Sequence, residues 1–113
     1  MEHIFLKSFH VAGFTYYEGA FVFNELKIGT KIDLIYEEGN VHDDFAVELR
    51  YKGKKLGYIP REQNKEIAII LKAGHEIFDA VVQQISKDTH PEKQVRVGVF
   101  VKTKRKSKSK KTK

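Results

Sequence analysis

The chain has 113 residues, 41% of them hydrophobic, which supplies apolar material for a single core and excludes a large multidomain enzyme. The absence of cysteine excludes a disulfide framework and a cysteine-based zinc site. The formal charge of +6 is unevenly placed. Eight of the 21 Lys and Arg lie in residues 102–113, which hold no acid, so thirteen cations face 15 acids in residues 1–101, a formal charge of −2. Any broad electrostatic hold on phosphates therefore belongs to the end of the chain or to a local patch.

Ile4 to Ala12 is aromatic and branched and closes at Gly13, which reads as a strand. Phe14 to Phe23 is an aromatic cluster interrupted by Gly19, a sign of a bend, a bulge or a close backbone approach. Adjacent residues on a strand point to opposite faces. On that reading Tyr16 and Tyr17 are not both core, and one of them is available to a partner. Leu26 to Lys31 is a turn-bearing connector, and Ile32-Asp33-Leu34-Ile35-Tyr36 alternates as a strand with Ile32, Leu34 and Tyr36 inward.

Glu37 and Glu38 lead into Gly39-Asn40-Val41-His42-Asp43-Asp44-Phe45-Ala46-Val47, a polar turn running into an apolar strand. Asn40 and Asp43 are side chains that bond their own backbone in turns. Val47, Leu49 and Tyr51 then face one way and Glu48, Arg50 and Lys52 the other. Gly53 supplies a tight turn, and Leu56-Gly57-Tyr58-Ile59 completes a hairpin. Pro60 ends the strand and can open a helix, predicted from about Glu62 to Ala73 with Ile67, Ile70 and Leu71 on its buried face and Gly74 at its stop.

A strand with Phe78, Ala80 and Val82 on one face follows, then a polar loop from Ser86 to Lys93. The last strand carries Val95, Val97, Val99 and Val101 on one face. Six short strands with one or two short helices predict a mainly β fold, a small OB-like or SH3-like β-barrel over residues 1–101. Residues 102–113 are rich in Lys, Ser and Thr without an apolar side chain, and are expected to form a disordered tail. Met1-Glu2-His3 is not a basic signal-peptide start, and no apolar run approaches the roughly 18 residues of a membrane helix. The expected location is cytoplasmic, at the nucleoid in a bacterium, with no membrane partner.

No phosphate-cradling Walker loop, dinucleotide fingerprint, G-x-S-x-G elbow or cysteine nucleophile occurs, so a familiar ATPase or hydrolase is not expected. The five histidines show no ligand spacing, and no metal or other cofactor is called for. Glu37, Glu38, Asp43 and Asp44 leave one enzymatic alternative, a metal-dependent nuclease.

Gly13-Phe14-Thr15-Tyr16-Tyr17, then Asn40-Val41-His42-Asp43-Asp44-Phe45-Ala46-Val47, then Leu56-Gly57-Tyr58-Ile59-Pro60 together resemble a HIRAN domain, in a stand-alone member spanning roughly residues 4–101. The resemblance implies an OB-like module that binds single-stranded DNA and recognises a free 3′-hydroxyl end, in DNA repair or replication-fork processing, with a helicase or nuclease acting in trans. It implies that Tyr16 stacks on a base with Tyr17 as its neighbour, and that Asp43 is the carboxylate that accepts from the terminal hydroxyl. Asn40 would hold the sugar edge or brace the loop. Tyr58 and His42 complete the pocket, and Arg61, Lys54 and Lys55 would meet phosphate. Thr15 stands where a basic residue is expected, and His42 where a tyrosine is. A second alternative is a protein-docking adaptor whose basic tail binds nucleic acid without specificity.

Overall fold

A computed structural model describes residues 2–90 and 93–104. Six antiparallel strands, β1 (His3–His10), β2 (Lys31–Tyr36), β3 (Val47–Tyr51), β4 (Lys54–Tyr58), β5 (Phe78–Ile85) and β6 (Val95–Lys102), lie in the order β1-β6-β5-β2-β3-β4. Two three-stranded halves, β1-β6-β5 and β2-β3-β4, meet through the short pairing of Lys31 and Ile32 with Val81 and Ala80. The far edges meet at Ala12 and Tyr58, which exchange both backbone hydrogen bonds at 2.9 Å. This bridge closes the OB-like barrel and satisfies strand edges that would otherwise stand open.

Gly57 makes that closure possible. Its φ is +154°, and a β-carbon there would run into the Ala12 carbonyl oxygen and the Val11 side chain. The β3–β4 hairpin turns at Lys52 (φ +48°) and Gly53 (φ +80°), the left-handed pair that matches strand twist.

Inside, Val95, Val97 and Val99 from β6 meet Leu49 and Leu56 from the hairpin and Phe9 from β1 in one core. The period-two patterns of β2, β5 and β6 place their apolar faces as expected. Glu48 differs: it is buried rather than solvent-facing, its carboxylate bound to Arg50 Nε at 2.6 Å.

The helix is also shorter than the sequence predicts. α2 spans Lys65–Lys72, and Arg61–Gln63 forms a separate 3-10 turn after Pro60. Ile67 and Ala68 face the core, and α2 packs near β2 at one end of the barrel. Gly74, at φ +95°, ends it, with Gly74 N donating to Leu71 O and His75 N to Ile70 O, a Schellman stop. Residues 14–25 are not extended: 3-10 turns at Phe14–Tyr16 and Phe23–Glu25 flank α1 (Gly19–Val22). Gly13 (φ +75°) starts this winding, and Gly19 leaves the space that the Phe14 ring occupies.

Lys102 ends β6 and donates its backbone N–H to Ile77 O, so the first residue of the expected tail belongs to the sheet. Residues 105–113 of that tail lie outside the described residues. Among the described residues no helix is long and apolar enough to cross a membrane.

Candidate nucleic-acid interface

The loop between β2 and β3 is shaped by its own side chains. Glu37 N donates to Ala46 O at 2.9 Å and closes its base. Asn40 Oδ1 accepts from the backbone N–H groups of His42 (2.8 Å) and Asp43 (3.0 Å), and Asp43 Oδ1 accepts from Phe45 N at 2.9 Å. These bonds wind the turn while leaving His42 exposed.

The loop is then pinned from outside. Asn64 Nδ2 donates to Asp43 Oδ2 at 2.8 Å, Arg61 Nε lies 3.7 Å from the same oxygen, and Arg61 Nη2 donates to His42 O at 3.1 Å. Asn64, only 1% exposed, precedes α2 but makes no side-chain cap; its amide serves the loop instead. Two N–H donors occupy two of the roughly four acceptor positions of the Asp43 carboxylate. The side chain is 16% exposed, so acceptor capacity remains at the surface.

A second group of side chains forms around β4. Tyr17 and Tyr58 meet edge to face, with ring centroids 5.7 Å apart and planes at 75°. The Lys55 ammonium stands 4.3 Å from each centroid and donates to the Tyr58 hydroxyl at 2.7 Å. That hydroxyl donates in turn to Glu37 Oε1, with Lys55 Nζ 4.0 Å from the carboxylate. The Tyr58 bond, then Lys55 and Asn40, hold the Glu37 carboxyl below its ordinary range against the opposing effect of burial. Burial first, and then the Glu37 carboxylate, push the Tyr58 phenol well above the usual tyrosine value.

Glu37 is thus the joint between the two groups. It holds Tyr58 on one side and reaches Asn40 on the other. Glu18 ties in the tyrosine-bearing segment: its carboxylate accepts from Lys55 N, and its own N–H donates to Lys55 O, both at 2.9 Å.

The structure brings Tyr17, Tyr58 and Lys55 into one cluster and Asn40, His42, Asp43 and Arg61 into another. Tyr16, from the adjoining 3-10 turn, is 78% exposed and Lys54 stands exposed on the hairpin, whereas the Lys55 ammonium is turned between the two rings. Asn64 is not among the sequence candidates, and Glu37 is there only as a member of the acidic cluster of the nuclease alternative. The only sequence signal for them was the acid next to the Asn40 turn and the Asn before a helical stripe. Among the described residues no group of three His, Asp or Glu side chains could hold a metal ion.

An exposed tyrosine, an aromatic pair caging a cation, and a hydrogen-bonded carboxylate beside an exposed arginine, all on a small OB-like barrel, define a binding module of the kind used on nucleic acids. The HIRAN domain family model matches residues 4–106, and the chain belongs to that family. HIRAN domains are DNA-binding modules, with a binding role rather than a catalytic one.

Two solved structures share the fold. A crystal structure of a Lactobacillus plantarum protein has a TM-score of 0.75 at 24% identity, covering 88% of this chain and 95% of that one. The HIRAN domain of human HLTF has a TM-score of 0.60 at 17% identity, covering 94% of this chain and 85% of that one. No curated protein matches the sequence.

Proposed function

We propose that this protein binds single-stranded DNA and reads its free 3′-hydroxyl end, serving DNA repair or replication-fork processing with a helicase or nuclease supplied in trans. The observation that carries the reading is the Asp43 carboxylate, fixed by Asn64 and Phe45 N yet still open to solvent beside Arg61. An ionised carboxylate accepts a hydroxyl and repels a terminal phosphate, which is the distinction an end-reader needs.

Tyr16 offers its exposed ring to the terminal base, a contact of about 1–3 kcal/mol that does not depend on which base is present. Arg61 and Lys54 supply charge for the adjacent phosphates, and His42 offers a further ring. Asn40 braces the turn that presents Asp43. Tyr17, Tyr58 and Lys55 form the wall against which the tyrosine-bearing segment is held.

The test compares Tyr16→Ala and Asp43→Ala on strands ending in a 3′-hydroxyl or a 3′-phosphate. Tyr16→Ala weakens both by about five- to hundredfold, the range of one lost stacking contact. Asp43→Ala, once checked for cooperative unfolding, abolishes the preference between the ends. Retention of that preference would remove Asp43 from the reading.

A further inference from the structure

The outer surface of the barrel does not end at the tyrosine cluster. Phe9 and Val11 are buried, so by alternation His10 and Ala12 face outward, and Ala12 is the residue paired with Tyr58. His10 is therefore two residues along the same strand line, about 7 Å from the Ala12–Tyr58 bridge. Its cross-strand partner is Arg96, which faces outward between the buried Val95 and Val97 and donates to Ser8 Oγ at 2.9 Å.

Lys93 stands exposed just ahead of β6. Among the described residues no carboxylate pairs with Arg96 or Lys93. Burial, then Arg96 and Lys93, hold the His10 imidazole below its ordinary value. Both cations lie close enough to bear on the imidazole, and among the described residues no acid is paired with either of them.

Four residues further along β6, about 13 Å from Arg96, the same face becomes aromatic. Phe5 pairs with Phe100 across the strands, their rings 5.5 Å apart at 71°, and Phe5 is 54% exposed. Asp79, which pairs with Phe100 across β5 and β6, lies 3.7 Å from the Lys31 ammonium and 3.6 Å from His3 Nδ1.

Cations next to the tyrosine cluster that no carboxylate pairs with among the described residues, followed along the same strands by an exposed ring, match an extended nucleic-acid strand in charge and in spacing. We propose that the outer face of β1 and β6 is a second stretch of the interface, carrying the strand away from the end pocket with Lys93 and Arg96 on backbone phosphates and Phe5, backed by Phe100, under a base. The proposal rests on the end-reading function for where the strand begins, but makes its own demand on strand length.

The test uses the whole 113-residue chain with single strands of about four and about sixteen nucleotides, the range of OB-fold site sizes. The unaltered protein binds the longer strand more tightly. Lys93→Gln combined with Arg96→Gln removes that gain, leaves the short strand's affinity and end preference unchanged, and lowers the salt slope on the long strand by about 1.4, at roughly 0.7 per phosphate contact.

Phe5→Ala weakens only the long strand, by about five- to hundredfold. Lys93→Glu, at an exposed position outside the sheet, gives the same direction of change and guards against a folding defect in the double variant. A double variant with the full length gain and an unchanged salt slope would overturn the proposal. If the short strand shows no end preference while the double variant still loses the length gain, the end-reading function fails and the second stretch of interface stands.

Discussion

Asn64 Nδ2 donates to Asp43 Oδ2 at 2.8 Å, so the residue that precedes α2 fixes a loop 21 positions earlier in the chain. The bond is nearly dry on one side, Asn64 being 1% exposed, and it sets the orientation of the carboxylate assigned to the strand end. A local feature of helix entry and a feature of recognition are therefore one contact.

Asn64→Ala removes the donor and leaves Asp43 Oδ2 with Arg61 alone. The expected cost is about 1–3 kcal/mol of stability, as for a buried polar partner left unmatched. Asn64→Asp costs more, since it sets a second carboxylate against Asp43. Urea denaturation of both variants, with Asp43→Ala closing the double-mutant cycle, measures the coupling; strictly additive effects would show that the contact is energetically idle.

Gly57→Ala tests barrel closure. The added β-carbon meets the Ala12 carbonyl and Val11 at a backbone φ of +154°, so both strain and collision oppose it. A loss of at least about 2 kcal/mol is expected, with faster amide exchange at Ala12 and Tyr58. Gly53→Ala, at φ +80° in an open turn with nothing near its β-carbon, carries the backbone strain without the collision and is expected to cost about 1–2 kcal/mol.

Tyr58 predicts an alkaline signature. Its phenol is raised above the ordinary value of 10.0, so the folded state keeps a proton that the unfolded chain releases there. The contribution to stability is present below that value and is lost as pH rises through the folded one. Following tyrosinate absorbance, one of the five tyrosines should resist ionisation until the fold is lost. Glu37→Gln should move that tyrosine back toward its ordinary value, because the carboxylate is among the causes of the shift.

His10 gives the acid limb. Its folded value lies below 6.5, so the unfolded chain binds the extra proton first and stability falls as pH drops from 6.5 through the folded value. Glu37, held below 4.5, adds its own loss only at more acidic pH. His10→Gln should flatten the upper part of this decline in pH-dependent denaturation and leave the lower part in place.

Much of the barrel could be read from alternation alone. Val95, Val97 and Val99 announce β6, and Lys52-Gly53 between two apolar runs announces the hairpin, because period two and turn chemistry are local. Residues 14–25 were less legible: their winding depends on Gly19 lying under the Phe14 ring, a contact that alternation does not encode. The late start of α2 was no more legible, since the chain leaves Pro60 in a separate 3-10 turn, Arg61–Gln63, before the helix begins.

In the candidate site, Tyr16, Asn40 and Asp43 stood out as turn and aromatic residues. Glu37 stood out only as one acid of a cluster, because its link to Tyr58 spans 21 positions and a half-buried acid looks in sequence like any solvated one. Lys55 reads as a free cation on a hairpin and proves to be held between two rings.

The most direct measurement is fluorescence anisotropy of one short single strand made with a 3′-hydroxyl and again with a 3′-phosphate, titrated with the whole 113-residue chain. The basic residues at the chain end favour the more negative strand, so they work against the expected result rather than for it. Tighter binding of the hydroxyl end is predicted; equal affinity, or preference for the phosphate, would contradict end recognition by this barrel.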